Sequence, residues 1–145
     1  VGDGPDRESL RAHIAGHDAS TYITLAGRLE QTELIDLYRR AWLLVSTSLA
    51  EGWGMTITEA AACGTPSVVI DNAGHRDATI TDVTGIVSPT LEQFENDLGR
   101  VLIDHDLRKR LSNGAVERSY TLRWTNTAAA TLGHLLDEVK RRQQR

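Results

Sequence analysis

Two acids, Glu51 and Glu59, stand eight positions apart in the stretch EGWGMTITE, separated by Gly52, Trp53, Gly54 and a short apolar run. Ionised carboxylates only accept hydrogen bonds, so this pair suits a ligand that presents hydroxyl donors at two separated points. In one continuous helix the acids would lie about 12 Å apart and roughly 80° around the axis. Two glycines disfavour that helix. The residues instead put Glu51 on a loop and start a helix near Met55 or Thr56, with Glu59 in its first or second turn.

This geometry has a chemical use. Glycines let the backbone approach a ligand, and the free N–H groups of a helix start seat an anion such as a diphosphate. The acids cannot bind the phosphate, but on either side of it they can accept hydroxyls. A nucleotide-sugar has this layout, with ribose on one side of the diphosphate and a hexose on the other. The same spacing also matches a capping box, with Thr56 at the N-cap and Glu59 three residues on. A Glu59 turned back to the cap cannot also reach a ribose. On spacing alone the capped helix is the simpler account, and both remain open.

The flanking residues set where this stretch must sit. LLVSTS, immediately before it, is an apolar run ending in small polar residues, the pattern of a parallel strand covered on both faces. TYITLAG and TGIVS read as further strands and SVVI as another buried one. PDRESLRAHIAGH, QTELIDLYRRAW and residues 55–63 read as helices, the last stopped by GTP at 64–66. HRDATITD is a short helix or turn. LEQFENDLGRVLI, HDLRKRLSNGAVERSY and WTNTAAATLGHLLDEVKRRQQR close the chain as three helices. Strands alternating with helices predict an α/β fold with a mostly parallel sheet. In such sheets ligands bind beyond the carboxyl ends of the strands, where EGWGMTITE would lie.

Other candidates carry less. VGDGPDR has Gly2 and Gly4 but lacks the full dinucleotide fingerprint, so it reads as a strand-to-helix turn. His13 and His17 have a helical metal-ligand spacing, but no Glu follows His13 and Gly16 ends the helix, so no metal site is assigned. In DHD, Asp104 or Asp106 reads as a helix cap. Ser46, Thr47 and Ser48 lack the Gly-x-Ser-x-Gly setting of a nucleophile. Trp42 and Trp124 read as core or helix-packing residues. KRRQQR reads as a solvated helix end whose cations suit the helix dipole, with a docking patch for another domain or an anionic membrane as the other reading.

The 145 residues suffice for one domain, and the net charge of −4, from 16 basic and 20 acidic residues, gives no general nucleic-acid affinity. The single cysteine, Cys63, excludes an intrachain disulfide and reads as a small core residue, which fits a reducing, cytoplasmic setting. The apolar runs are too short to span a bilayer. Val1 follows no strand, although VGDG reads as the end of one, so the sequence reads as a fragment.

EGWGMTITEAAACGTPSV closely resembles the E-x7-E motif of retaining glycosyltransferases of the GT-B fold, the large family 4 group. VGDGPDRESL resembles the second-strand turn of that family's C-terminal domain. YITLAGRLEQTELIDLYRRAWLLVSTS resembles its next strand, helix and strand, and NAGHRDATITDVTGIVSP the segment after the motif. LRKRLSNGAVERSYTLRWTNTAAATL resembles its closing helices. The resemblance covers nearly the whole chain in order. It implies one partial domain, residues 1–145: a Rossmann-like, mostly parallel sheet with flanking helices, truncated at its N-terminus.

Position by position, the resemblance implies that Glu51 hydrogen-bonds hydroxyls of the donor sugar, with the backbone at Trp53 and Gly54 facing that sugar. Met55 and Thr56 would offer N–H groups to the diphosphate, Glu59 would bind the ribose, and Arg28 and Leu29 would lie near the base. The implied donor is a nucleotide-sugar such as a UDP- or GDP-sugar, the transferred group a hexose, and the chemistry metal-independent. Set against the family, Thr47 stands where Pro is frequent, and Arg76 and Asp77 replace a Pro-Glu-like pair. The basic diphosphate clamp and the N-terminal acceptor domain expected ahead of Val1 are outside this sequence. No complete catalytic set is therefore expected in the chain, and the isolated chain should not transfer sugar. Any stabilisation of the leaving group falls to backbone amides and the helix start. In the strand order 3-2-1-4-5-6 the missing first strand is central. Its loss predicts a re-paired sheet or association with another chain through exposed edges, as in a homo-oligomer. A peripheral membrane location suits the intact protein. The rival readings are a non-catalytic nucleotide-sugar-binding or regulatory module, and another phosphate-ligand α/β enzyme in which EGWGMTITE is only a capped helix.

Overall fold

The computed structural model describes residues 1–143, which divide into two compact units, residues 1–37 and residues 38–143. Helix α1 (Arg7–Gly16) opens the first unit, followed by a 3-10 turn at Ala19–Thr21. Gly2 N–H reaches the Gly27 carbonyl at 2.7 Å, and the Arg7 guanidinium donates to the Leu25 carbonyl at 3.3 Å. The strand predicted over TYITLAG does not form: residues 23–27 are irregular. A β-branched run becomes a strand only when a neighbour supplies a ladder, and no described segment does so.

Helix α2 is Gln31–Arg40. The chain then alternates as predicted through β1 (Leu44–Ser46), α3 (Met55–Ala62), β2 (Ser67–Ile70), α4 (Ala73–Ala78) and β3 (Gly85–Ser88). Three helices follow: α5 (Leu91–Ile103), α6 (His105–Thr121) and α7 (Trp124–Gln143). The sheet is parallel, in the order β1-β2-β3, with Leu44 opposite Ser67 and Ser67 opposite Gly85. The strands lie in chain order, so the sheet is not re-paired, and β1 and β3 are its edges.

Successive residues of a strand face opposite sides, and β2 buries both. Val68 joins Ile86, Phe94, Val101, Leu107 and Leu111 on the side of α5 and α6. Val69 joins Ile57 and Ala78, with Leu44, Trp53 and Val87 packed against them, on the side of α3 and α4. Each fully buried aliphatic side chain contributes roughly 1.5–3 kcal/mol, so the first cluster holds α5 and α6 to the sheet, and the second, through Ile57 and Trp53, holds α3 and the loop before it.

Strand β1 departs from expectation. Val45 is 52% exposed, so this strand is not covered on both faces. Val45 pairs with Val68 and shares its face, but α5 and α6 pack over β2 and β3 and leave the edge uncovered. Of the two caps read from DHD, Asp104 is the one used: it caps α6, accepting from Leu107 N–H at 2.9 Å. Trp42 and Trp124 are not core residues: they are 63% and 87% exposed. The Arg108 guanidinium stacks 4.5 Å above the Trp42 ring, and α7 buries none of its residues. Cys63 is half-buried and free. In the basic tail, Arg141 and Arg142 pair with Glu138 at 3.2 and 2.9 Å; Gln144 and Arg145 lie outside the described residues.

Candidate functional site

After β1 the chain crosses the carboxyl end of the sheet in residues 47–54 and enters α3 at Met55. The hinge is Gly54, the N-cap of α3, in the left-handed region at φ 86°. A Cβ there would come within 2.9 Å of Ile57 Cδ1 and 3.7 Å of Ala78 Cβ. Conformation and space therefore both call for glycine. Trp53, half-buried, packs its ring against Ile57, Val69 and Ala78. The backbone of the hinge is pinned by a side chain that points into the core.

No side chain caps α3. Thr56 is not the N-cap of a capping box, because the helix begins a residue earlier, at Met55, and Gly54 makes the turn. Gly54 also supplies the carbonyl that Ile57 N–H reaches at 3.0 Å. Met55 and Thr56, both exposed, carry N–H groups beyond the reach of any helical carbonyl. The helix start therefore presents donors and the positive end of its dipole to solvent. Glu59 sits in the second turn, within the range its spacing predicted, and accepts a hydrogen bond from Tyr38 Oη at 3.3 Å.

Tyr38 is the site residue the sequence reading missed. Reading QTELIDLYRRAW as a helix does not single it out. A phenol on a buried stripe needs a polar partner, and that is the signal that could have flagged it. Tyr38 is 8% exposed. Burial first, then the charge and hydrogen bond of Glu59 and the neighbouring Cys63, push its hydroxyl up to about 12. It therefore remains a donor to Glu59 at any physiological pH.

The fold thus brings Glu51, Trp53, Gly54, Met55, Thr56 and Glu59 into one loop and helix start, with both acids exposed. Arg28 and Leu29 lie in the other unit, at the bend before α2, exposed and half-buried respectively. The rings of His13 and His17 lie 4.4 Å apart at a 43° tilt, and His17 Nδ1 lies 2.9 Å from the His13 carbonyl oxygen. Among the described residues no group of three or more His, Cys, Asp or Glu side chains is arranged to hold a metal ion. No helix among them is long and apolar enough to cross a membrane.

Residues 1–118 match the family model described as glycosyl transferases group 1. The chain belongs to that family. A D-inositol 3-phosphate glycosyltransferase of Streptomyces bingchenggensis is 37% identical over 126 residues, covering 86% of this chain and 28% of that protein. One from Xylanimonas cellulosilytica is 34% identical over 119 residues, 81% of this chain and 28% of that protein. The group 1 chain therefore spans less than a third of the length of these curated relatives. Among solved structures, a sucrose-phosphate synthase of Thermosynechococcus elongatus superposes with a TM-score of 0.80 at 24% identity, over 95% of this chain and 37% of that one. Anabaena HepE, solved in complex with UDP and glucose, gives 0.77 at 21% identity, over 92% and 39%. At these identities the likeness is one of fold: an α/β parallel sheet with flanking helices of the GT-B glycosyltransferase type.

Proposed function

We propose that this chain is the donor-binding part, within the C-terminal domain, of a retaining, metal-independent glycosyltransferase of the E-x7-E class. In the intact protein it would transfer a hexose from a UDP-, GDP- or similar nucleotide-sugar to an acceptor held mainly by another domain. The observation that carries this reading is the helix start between the two acids. The N-terminus of α3 has no side-chain cap and opens at the carboxyl end of a parallel sheet, with an exposed carboxylate before it and another after it. A capped helix would have filled that seat, and the cap is not made. The names of the relatives and the complex of a structural neighbour with UDP and glucose support the same donor class.

On this reading the N–H groups of Met55 and Thr56 hold the diphosphate. Glu51 accepts from sugar hydroxyls beside the Trp53–Gly54 backbone, and Glu59, oriented by Tyr38, accepts from the ribose. Arg28 and Leu29 are assigned to the base. During transfer the bond between the sugar's anomeric carbon and the diphosphate oxygen breaks, and a bond from that carbon to the acceptor oxygen forms on the same face. The acceptor proton passes to the departing diphosphate. The helix start is aimed where negative charge grows, and the acids fix the sugar and ribose on either side of it.

Calorimetry with UDP, GDP and their hexose derivatives tests the assignment. Glu59→Ala should weaken nucleotide and nucleotide-sugar alike, by about 1.5–3 kcal/mol for hydrogen bonds to a charged group. Glu51→Ala should weaken only the nucleotide-sugar. Unchanged affinities in both variants would defeat the reading.

A further inference from the structure

Glu51 is a loop residue, and a loop acid can select a ligand only if its loop is held still. Two fastenings tie this loop to the turn that enters α4. Asn72, the N-cap of α4, uses both ends of its amide: Oδ1 accepts from His75 N–H at 2.9 Å, and Nδ2 donates to the Ser48 carbonyl at 2.8 Å. Ser48 stands three residues before Glu51. Gly74 then lies flat against Glu51 itself. A Cβ on Gly74 would fall 2.4 Å from the Glu51 carbonyl oxygen and 2.8 Å from its Cβ. Gly74 is not among the glycines with positive φ, so it answers to close approach and not to conformation. The turn is anchored in its own right by His75, 1% exposed, whose Nδ1 lies 2.6 Å from the Ile70 carbonyl oxygen at the end of β2. The same Nδ1 lies 3.0 Å from Asn72 Nδ2, so the buried ring is in contact with the amide as well as with the end of β2.

The side chain at position 72 separates this function from simple capping. Thr90 and Asp104 cap α5 and α6 with one accepting oxygen each. Aspartate or serine could do the same for α4. The amide does both with two separate atoms, an oxygen that caps the helix and a nitrogen that donates to Ser48, and aspartate keeps the first without the second.

We infer that Asn72 and Gly74 are positioning residues for Glu51, fixing the loop from which that acid meets the sugar of the donor. The inference rests on the donor-binding reading above. Asn72→Asp tests it, because the capping oxygen stays while the donor to Ser48 is replaced by a second acceptor, which also faces His75 Nδ1; Gly74→Ala, which leaves that contact alone, is the companion variant. Two measurements on the 145-residue chain decide the matter. Backbone 15N relaxation should show the order parameters of Glu51 and Gly52 falling from about 0.85 in the parent to below about 0.6 in the variant. Calorimetry with UDP and UDP-glucose, and in parallel GDP and GDP-mannose, should show the affinity ratio of sugar donor to bare nucleotide falling about tenfold, with the bare nucleotide unchanged; that is the low end for one hydrogen bond to a charged group. Gly74→Ala should lower the same ratio. Unchanged order parameters, or equal losses for nucleotide and nucleotide-sugar, overturn the inference. A parent chain that binds none of the four compounds defeats the donor reading instead, and the relaxation data then still judge whether Asn72 fastens the loop.

Discussion

The two glycines of EGWGMTITE should respond in opposite ways to replacement by alanine. At Gly54, alanine must adopt φ near 86°, which costs an L-residue roughly 1–2 kcal/mol. Its Cβ would also arrive 2.9 Å from Ile57 Cδ1, and moving that side chain off its rotamer adds about 0.5–1.5 kcal/mol. The sum is about 1.5–3.5 kcal/mol. In urea, at a slope of about 2 kcal/mol/M, the middle of the range for a small protein, the midpoint should fall by about 1–2 M with the slope unchanged. At Gly52 no atom lies within 4 Å of the position a Cβ would take, and the backbone is not left-handed. Alanine there should leave stability within about 0.5 kcal/mol, or raise it slightly by restricting the unfolded chain. Equilibrium urea unfolding of both variants, followed by far-UV circular dichroism, makes the comparison. If Gly54→Ala stays within 0.5 kcal/mol of the parent, or Gly52→Ala loses as much as Gly54→Ala, the account of the hinge is wrong.

Three further outcomes are expected. Thr56→Ala should change unfolding stability by no more than about 0.5 kcal/mol, because Thr56 is an exposed helical residue and not a cap; a loss near 1 kcal/mol in urea would restore the capping box. Tyr38 has a higher pKa folded than unfolded, so its contribution to stability is intact below pH 10 and is lost as the pH climbs from about 10 toward about 12. Tyr38→Phe should flatten that alkaline decline in urea unfolding and remove the latest-titrating phenolate seen by ultraviolet absorbance. Asp104→Ala should cost about 1 kcal/mol by thermal or urea unfolding through loss of the α6 cap, without altering nucleotide affinity.

The elements legible in the sequence were those whose signals are local. Helix α2, a cap within DHD and the uninterrupted run of β2 each depend on neighbours within a few positions, and the structure forms all three, with Asp104 as the cap. What failed depends on distant atoms. TYITLAG has the composition of a strand but no strand beside it. LLVSTS has the composition of a central strand but lies at an edge, where nothing covers Val45. At the site, the loop-to-helix change and the place of Glu59 were readable from the glycines. The choice between Thr56 and Gly54 as the first residue of the turn was not, because Ile57 and Ala78 impose it from the core side. Trp42 and Trp124 misled because large aromatic residues are usually buried, whereas one supports a guanidinium and the other begins a helix that buries nothing.

The exposure of those two tryptophans gives the third an optical use. Trp53 alone is lodged between the hinge and the core, while Trp42 and Trp124 are open to solvent. A water-soluble quencher should remove the emission of the exposed pair first and leave a bluer residue that belongs to the loop beside Glu51. The protein therefore carries an intrinsic fluorophore at its candidate site. Any ligand that settles on the α3 start, or any substitution that loosens the hinge, should be visible in the colour and quenching of that single ring without a label.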